Sequence, residues 1–326
     1  MNNNILSPHK PAVCSSLIHP GRGAALVMVL ASLLALSVVI LGVSEKTAHQ
    51  SRDASLLLLE YRASLLARTG FEIGVDLLRN LPDKHDDPSP AALDAVWQEK
   101  NLSISIFPCA ARINLNHLGQ TRPEKERIRN ALLELFDKEG LSRDAMDFLL
   151  HWTGNLEHDQ SSSSYRAIQA FYALGSYEYS SPGRVLSRPE ELILVPGFED
   201  VSLEWIRNNF TVWGDQTVID INFAPRSVAL ALLPELEPYW DSIEALRQSR
   251  TISHPNELLM DTGLDIVTYS TVLPYLTLEP DLFEIVIEVR IGSWYEKHRY
   301  IVQRNMIDPQ QVPGLLARDV LEARPL

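Results

Sequence analysis

Two cysteines in 326 residues, Cys14 and Cys109, exclude the disulfide framework that holds small secreted domains together. Folding has to rest on a hydrophobic core, and Cys109, in a strand-like stretch, reads as a small buried hydrophobe rather than a nucleophile. The motifs of common catalytic sites are also missing. No H-E-x-x-H, G-x-S-x-G or G-x-x-x-x-G-K-[ST] occurs, and the nine histidines are scattered. The residues therefore point to no enzyme class. Nor is there a cationic excess: 29 Lys and Arg stand against 42 Asp and Glu, a formal net charge of −13. Such a surface repels nucleic acid and anionic lipid.

Charge is absent altogether from Ala24 to Val43, and the first charged residue after that run is Glu45. About twenty apolar residues at 1.5 Å rise make roughly 30 Å, enough to cross the hydrocarbon core of a bilayer as a helix. Ser32 and Ser37 are polar but can hydrogen-bond within the helix. The first 23 residues hold Lys10, Arg22 and no acid. By the positive-inside rule the amino terminus stays in the cytoplasm and the remainder is exported. The residues after the run, SEKTAHQ, offer no A-x-A cleavage signal. A plain signal anchor is one reading of this segment.

The junction at Gly23 supports another. Arg22-Gly23 followed by Ala24-Ala25-Leu26-Val27-Met28 resembles the type III, or prepilin, signal, in which a dedicated peptidase cuts after a glycine on the cytoplasmic side. The resemblance implies cleavage between Gly23 and Ala24 and N-methylation of Ala24. Met28 occupies the fifth mature position, where most pilins carry Glu. A lone carboxylate inside a bilayer is costly unless paired, so its absence suggests a subunit with no neighbour above it. Loss of the leader removes Cys14, Lys10 and Arg22, which leaves Cys109 without a partner and the mature charge at about −15.

Helical periodicity continues past the membrane. From Ser44 to Leu81 there is no proline, and apolar residues recur at Leu58, Leu65, Leu66, Ile73, Leu77 and Leu78 before Pro82 and the polar DKHDDPSP. Ala24 to Asn80 then form one rod of roughly 85 Å; a break at Gly42 into two helices is the alternative. Leu102–Phe107 alternates and reads as a strand, as does Arg112–Asn116. Pro123 to Trp152 reads as packed helices turning at Gly140. A polar loop, GNLEHDQSSSSY, and a loop-rich stretch to Ser187 follow. Two helical units, Pro189–Asn209 and Pro225–Leu236, flank Thr211–Asn222. Phe283–Ile291 and Trp294–Gln303 should pair as a hairpin turning at Gly292.

Several blocks resemble the minor pseudopilin K family of type II secretion systems, also called general secretion pathway protein K. Ala111-Arg112-Ile113-Asn114-Leu115-Asn116 is similar to its "GKINLN" element, and Glu190-Glu191-Leu192-Ile193-Leu194-Val195-Pro196-Gly197 to its "EELxxVPG" element. Phe210–Asp215 with Ile219–Pro225 resembles "TVYGDGxINxNTAP". The resemblance implies an α+β fold: a long N-terminal transmembrane and amphipathic helix, and a pilin-like, strand-containing body with a large helical insertion. The expected segments are a leader (1–23), transmembrane helix (24–43), periplasmic helix (44–81), first part of the body (82–122), helical insertion (123–209), and a second helical unit with the C-terminal strands (210–326). The implied role is non-enzymatic, at the tip of the periplasmic pseudopilus. The implied partners are the minor pseudopilins I and J, the major pseudopilin and the prepilin peptidase, and not nucleic acid.

Relatives in that family often ligate calcium through a stretch resembling "DWIDxD". Here the matching residues are His151-Trp152-Thr153-Gly154-Asn155-Leu156, without the expected carboxylates; Glu157, Asp159 and Glu178 remain as weak calcium candidates. His151 and His158, seven apart, form no compact metal pattern. Val195-Pro196-Gly197-Phe198 between two helices has a helix-hairpin-helix shape, which elsewhere grips DNA phosphates. An alternative is therefore a minor pilin of a DNA-uptake or adhesion pilus that uses this hairpin as a binding module. Against it stand Glu190, Glu191, Glu199, Asp200 and Glu204, opposed only by Arg188 and Arg207. Asn114, Asn116 and Asn222 read as satisfying backbone groups at strand ends. Trp205, Trp213, Trp240 and Trp294 read as core or interface.

Overall fold

A computed structural model describes residues 22–79, 97–99, 101–119, 125–154, 163–174, 181–214, 217–304 and 313–325. The chain starts with α1, Arg22–Arg79, a single 58-residue helix. It runs through Gly42 unbroken, which removes the two-helix alternative. Between Ala25 and Arg79 lies a stretch long and apolar enough to cross a membrane. There the Ser32 and Ser37 hydroxyls donate to the Met28 and Leu33 carbonyls, each at 2.8 Å, so neither leaves an unsatisfied group in an apolar setting. Two compact units divide at Leu59 and Glu60.

In the second unit, β1 (Trp97–Glu99) and β2 (Leu102–Pro108) precede β3 (Ile113–Asn114). Helices α2 (Lys125–Glu139), α3 (Asp144–Trp152), α4 (Ser163–Ala173) and α5 (Leu203–Asn209) follow. Next come β4 (Phe210–Thr211), β5 (Ile219–Asp220), α6 (Arg226–Leu232), α7 (Trp240–Ser249), α8 (Asn256–Asp261) and α9 (Ile266–Val272). The chain closes with β6 (Leu276–Thr277), β7 (Leu282–Ile291), β8 (Trp294–Gln303) and β9 (Gly314–Pro325). The main sheet is antiparallel in the order β1-β2-β7-β8-β9. Since β2 pairs directly with β7, Leu102 opposite Val289, everything between them is an excursion from one sheet. Two short parallel pairs, β3 with β4 and β5 with β6, tie that excursion back on itself.

Alternation along β2 sends Leu102, Ile104 and Ile106 to one face, where they join Ile285, Ile287, Val289, Tyr300 and Val302. Helix α1 covers this face with Ala63, Ala67, Gly70, Gly74 and Leu78, all buried. Small residues let the helix backbone come close: a Cβ at Gly74 would lie 2.8 Å from Ile285 Cγ2. Phe71 stacks on Tyr300 with ring centroids 4.3 Å apart. A second core fills the helical part, where Phe136 meets Phe198 and Phe210 edge-on at 5.0 and 6.5 Å.

The hairpin β7–β8 turns at Gly292, φ +59°, and α2–α3 turn after Gly140, φ +80°, both as expected from glycine's access to positive φ. Elsewhere the structure departs from expectation. The strand expected over Arg112–Asn116 is only Ile113–Asn114, followed by a 3-10 turn, Leu115–Gly119. The stretch expected to be loop-rich contains α4. The helix packs by tertiary contact, with Phe171 against Phe148 at 4.9 Å and Ile168 buried. The first arm of the expected hairpin is 3-10, Pro189–Leu194, and the unit after Pro225 splits into α6 and a 3-10 segment, Pro234–Tyr239. Helices α7 to α9 and the edge strand β9 had no counterpart in the sequence reading.

Candidate functional site

The sheet face turned away from α1 carries charge. Arg299 projects from β8 and is almost wholly buried, with a side chain 1% exposed. Its Nη1 and Nη2 donate to Glu190 Oε1 and Oε2 at 2.8 and 2.9 Å, and Nη2 also donates to Asp319 Oδ2 at 2.9 Å. Glu284 Oε1 on β7 lies 3.9 Å from Nε, and the guanidinium sits over Trp213 at 4.7 Å. Arg207 Nε of α5 donates to Glu190 Oε1 at 2.7 Å, Arg188 Nη2 pairs with Asp319 at 2.8 Å, and Arg112 pairs with Glu284. Buried charges persist only when paired and hydrogen-bonded in this way. The bidentate contact fastens the 3-10 segment Pro189–Leu194 of the helical insertion to the sheet.

Titration follows from these contacts. Burial pushes the Glu190 carboxyl up, but the hydrogen bonds and charge of Arg299, with Arg207, outweigh it and hold the group below the usual carboxylate range. Burial lowers Arg299, yet Glu190, Glu284 and Asp319 carry it above its ordinary value. Beside this network, burial and then the charge of Glu284 push the Cys109 thiol up to about 12. A thiol so protonated is a poor nucleophile. In a Cys14→Ser chain, Cys109 is expected to react with a thiol reagent at pH 8 at least about a hundredfold slower when native than when unfolded; equal rates, followed by reagent absorbance, would contradict its burial.

The three asparagines do satisfy backbone groups, but across long sequence distances. Asn114 Nδ2 donates to the Trp213 and Gly214 carbonyls at 3.0 and 2.8 Å. Asn116 Nδ2 reaches Leu186 O and Val212 O at 2.9 and 3.0 Å, while its Oδ1 accepts from Leu186 N at 2.9 Å. Asn222 exchanges two bonds with the Ile252 backbone, at 3.1 and 2.9 Å. Each side chain thus stands in for a strand neighbour, which explains why the strand near Asn116 is short.

At Val195–Phe198, Gly197 has φ +91° and its N–H is taken by Glu199 Oε2 at 2.8 Å. Both cations beside this turn, Arg188 and Arg207, are already engaged by carboxylates, those of Asp319 and Glu190. The four tryptophans divide: Trp240 is buried, Trp205 and Trp213 pack at the margin of the helical core, and Trp294 lies at the margin of the α1–sheet core.

Gly23 and Ala24 lie within the first turns of α1. Glu157, Asp159, Glu178 and His158 fall outside the described residues. His151 is half-buried, with Nε2 3.0 Å from Gln169 Nε2, and burial lowers its pKa. Among the described residues no group of three or more His, Cys, Asp or Glu is placed to hold a metal ion. The network around Arg299 had no signature in the sequence, because Glu190, Glu284, Arg299 and Asp319 come from four separated segments.

No protein-family model matches the chain, and no curated protein does. A solved structure does: a chain in the crystal structure of the GspK-GspI-GspJ complex from the type 2 secretion system of enterotoxigenic Escherichia coli is similar over 85% of this chain and 99% of that one, with TM-score 0.56 and 15% identity. At that identity the likeness is one of fold.

Proposed function

We propose that this chain is a K-type minor pseudopilin, a non-enzymatic subunit at the tip of a type II secretion pseudopilus. The observation that carries the reading is the shared fold, matched over nearly the full length of a chain from the GspK-GspI-GspJ complex. The long apolar helix α1 and the Gly23 junction support it independently. In this reading the prepilin peptidase cuts between Gly23 and Ala24, Ala24 is methylated, and α1 anchors the protein in the inner membrane with its body in the periplasm. The minor pseudopilins I and J associate laterally with α1, and the complex recruits the major pseudopilin, whose growth drives folded proteins toward the outer membrane.

Two measurements test it. Sizing chromatography of the periplasmic part, from about residue 45, mixed with the I and J ectodomains is expected to give a ternary complex; three separate peaks would sink the proposal. Mass spectrometry of the membrane-extracted protein is expected to find methylated Ala24 at the amino terminus, whereas Met1 would return the segment to a plain signal anchor. The DNA-binding reading loses its support because both cations beside the Val195–Phe198 turn are held by carboxylates. Filter binding at low salt is expected to show no retention of DNA.

A further inference from the structure

Beside the Arg299 network, the same sheet face opens into a cleft of about 1160 Å³, larger than the roughly 300–1,000 Å³ typical of small-ligand pockets. Its floor is formed by β2 and β7, with Ser105, Val286 and Glu288, and its walls by α5, the segment around Phe223, and α7. Three features set the chemistry of an occupant.

The cleft is electrically balanced in a molecule of net charge −13. Lys297 Nζ pairs with Glu288 Oε1 at 2.8 Å and Arg247 Nη2 with Glu244 Oε2 at 2.6 Å. Arg112 is held by Glu284, and Arg207 by Glu190. Glu204, exposed at the rim, has no ion pair among the described residues and stays solvated; an anionic ligand would have to break one of the pairs, at the cost of stranding the other partner. Second, the cleft is rich in neutral hydrogen-bonding groups. The side chains of Ser105, Asn208 and Ser227 make no hydrogen bond among the described residues, and Gln248 uses one donor, toward Glu244 Oε1 at 3.0 Å. Third, β7 is laddered on both sides, to β2 and to β8, so the middle of the floor offers no backbone edge to an added peptide strand.

We propose that this cleft binds a neutral oligosaccharide. Fixed acid–base pairs present a donor beside an acceptor, the array that vicinal hydroxyls meet without transfer of charge. The hydroxyls and amides of Ser105, Asn208, Ser227 and Gln248 supply further contacts. Half-buried Phe223 offers an apolar surface to the C–H face of a sugar ring. The inference goes beyond the pseudopilin assignment and does not depend on it.

The test uses the full chain in a detergent without a sugar headgroup. Chitotetraose, cellotetraose and maltotetraose are titrated by calorimetry, beside an uncharged Ser/Asn/Gly peptide of similar mass. Saturable binding of at least one glycan is expected. The double variant Asn208→Ala, Gln248→Ala should weaken it about tenfold, the loss expected for one or two hydrogen bonds, and Ser227→Trp should block it. Residues 208, 227 and 248 are exposed, so unchanged unfolding midpoints will show that the variants are folded. The absence of saturable binding by all three glycans would overturn the proposal. So would binding indifferent to both variants, or saturable binding of the peptide alone.

Discussion

Arg299→Ala is expected to destabilise the body by about 3–5 kcal/mol, because it removes three buried charge-assisted hydrogen bonds and leaves Glu190, Asp319 and Glu284 with one arginine each in place of two. Glu190 loses both its bidentate bonds, Asp319 one of its partners, and Glu284 a nearby positive charge. Urea unfolding of the full chain in detergent, followed by tryptophan fluorescence, measures the loss. Hydrogen exchange should locate it: amides of Pro189–Leu194 and α5 should open first, since those segments are fastened to the sheet through Glu190. A loss below about 1 kcal/mol, the size of an exposed ion pair, would show that the network contributes little.

The pH dependence has a definite sign. Glu190 has a folded-state pKa below its unfolded one, so its stabilisation is fully present above the unfolded carboxylate value of about 4.3. It is lost as pH falls through the lower folded value. In Arg299→Ala the depression should shrink to what Arg207 supplies, and with it this part of the acid sensitivity. Glu190→Gln should behave likewise, and the double variant should cost less than the sum of the two single variants.

Gly74→Leu is the second large effect, at roughly 3 kcal/mol or more, because the added side chain has to displace α1 from the sheet. Already a Cβ at position 74 comes within 2.8 Å of Ile285 Cγ2 and 3.4 Å of Ile104 Cγ2. These are branch methyls on Cβ of residues locked in paired strands, and they cannot swing aside. Gly74→Ala brings a steric cost that opposes the roughly 1 kcal/mol gain in helix propensity. Gly70→Ala should be somewhat milder, since its nearest clash, at 2.9 Å, is with Leu102 Cδ1, the mobile end of a side chain, and the fixed methyl it meets, Ile287 Cγ2, stands at 3.0 Å against 2.8 Å at Gly74. The ordering Gly70→Ala, Gly74→Ala, Gly74→Leu in unfolding midpoint is the expected result. Equal midpoints would mean that α1 does not rest on the sheet at these glycines.

Legibility in the sequence followed how local each cause was. The apolar part of α1 was readable because twenty residues in a row carry no charge, and its course through Gly42 because no proline interrupts the periodicity that follows. Strands β2, β7 and β8 were readable from period-two alternation, and Gly292 from the turn it allows. Helix α4 was not read, because a run of serines opens it and blurs its start, and Phe171 becomes a core residue only through Phe148. Strand β9 was not, because an edge strand with Arg318, Asp319, Glu322 and Arg324 lacks a clean apolar face and is specified by its ladder to β8. The asparagines were expected to satisfy local backbone groups, and instead they reach backbone 30 to 100 residues away, which neighbours in sequence do not reveal.

By itself the sequence determined a helix long and apolar enough to cross a membrane, the lack of a disulfide framework, the acidic charge and the order of the main blocks, since each depends on residues adjacent along the chain. Tertiary structure alone decided where the helical insertion is fastened and which charges are spent inside the protein. Arg112, Glu190, Glu284, Arg299 and Asp319 acquire their roles only when the pairing of β2 with β7 closes the chain around the insertion. Buried electrostatics depend on distance in space and on exclusion of water, and the linear order of residues encodes neither.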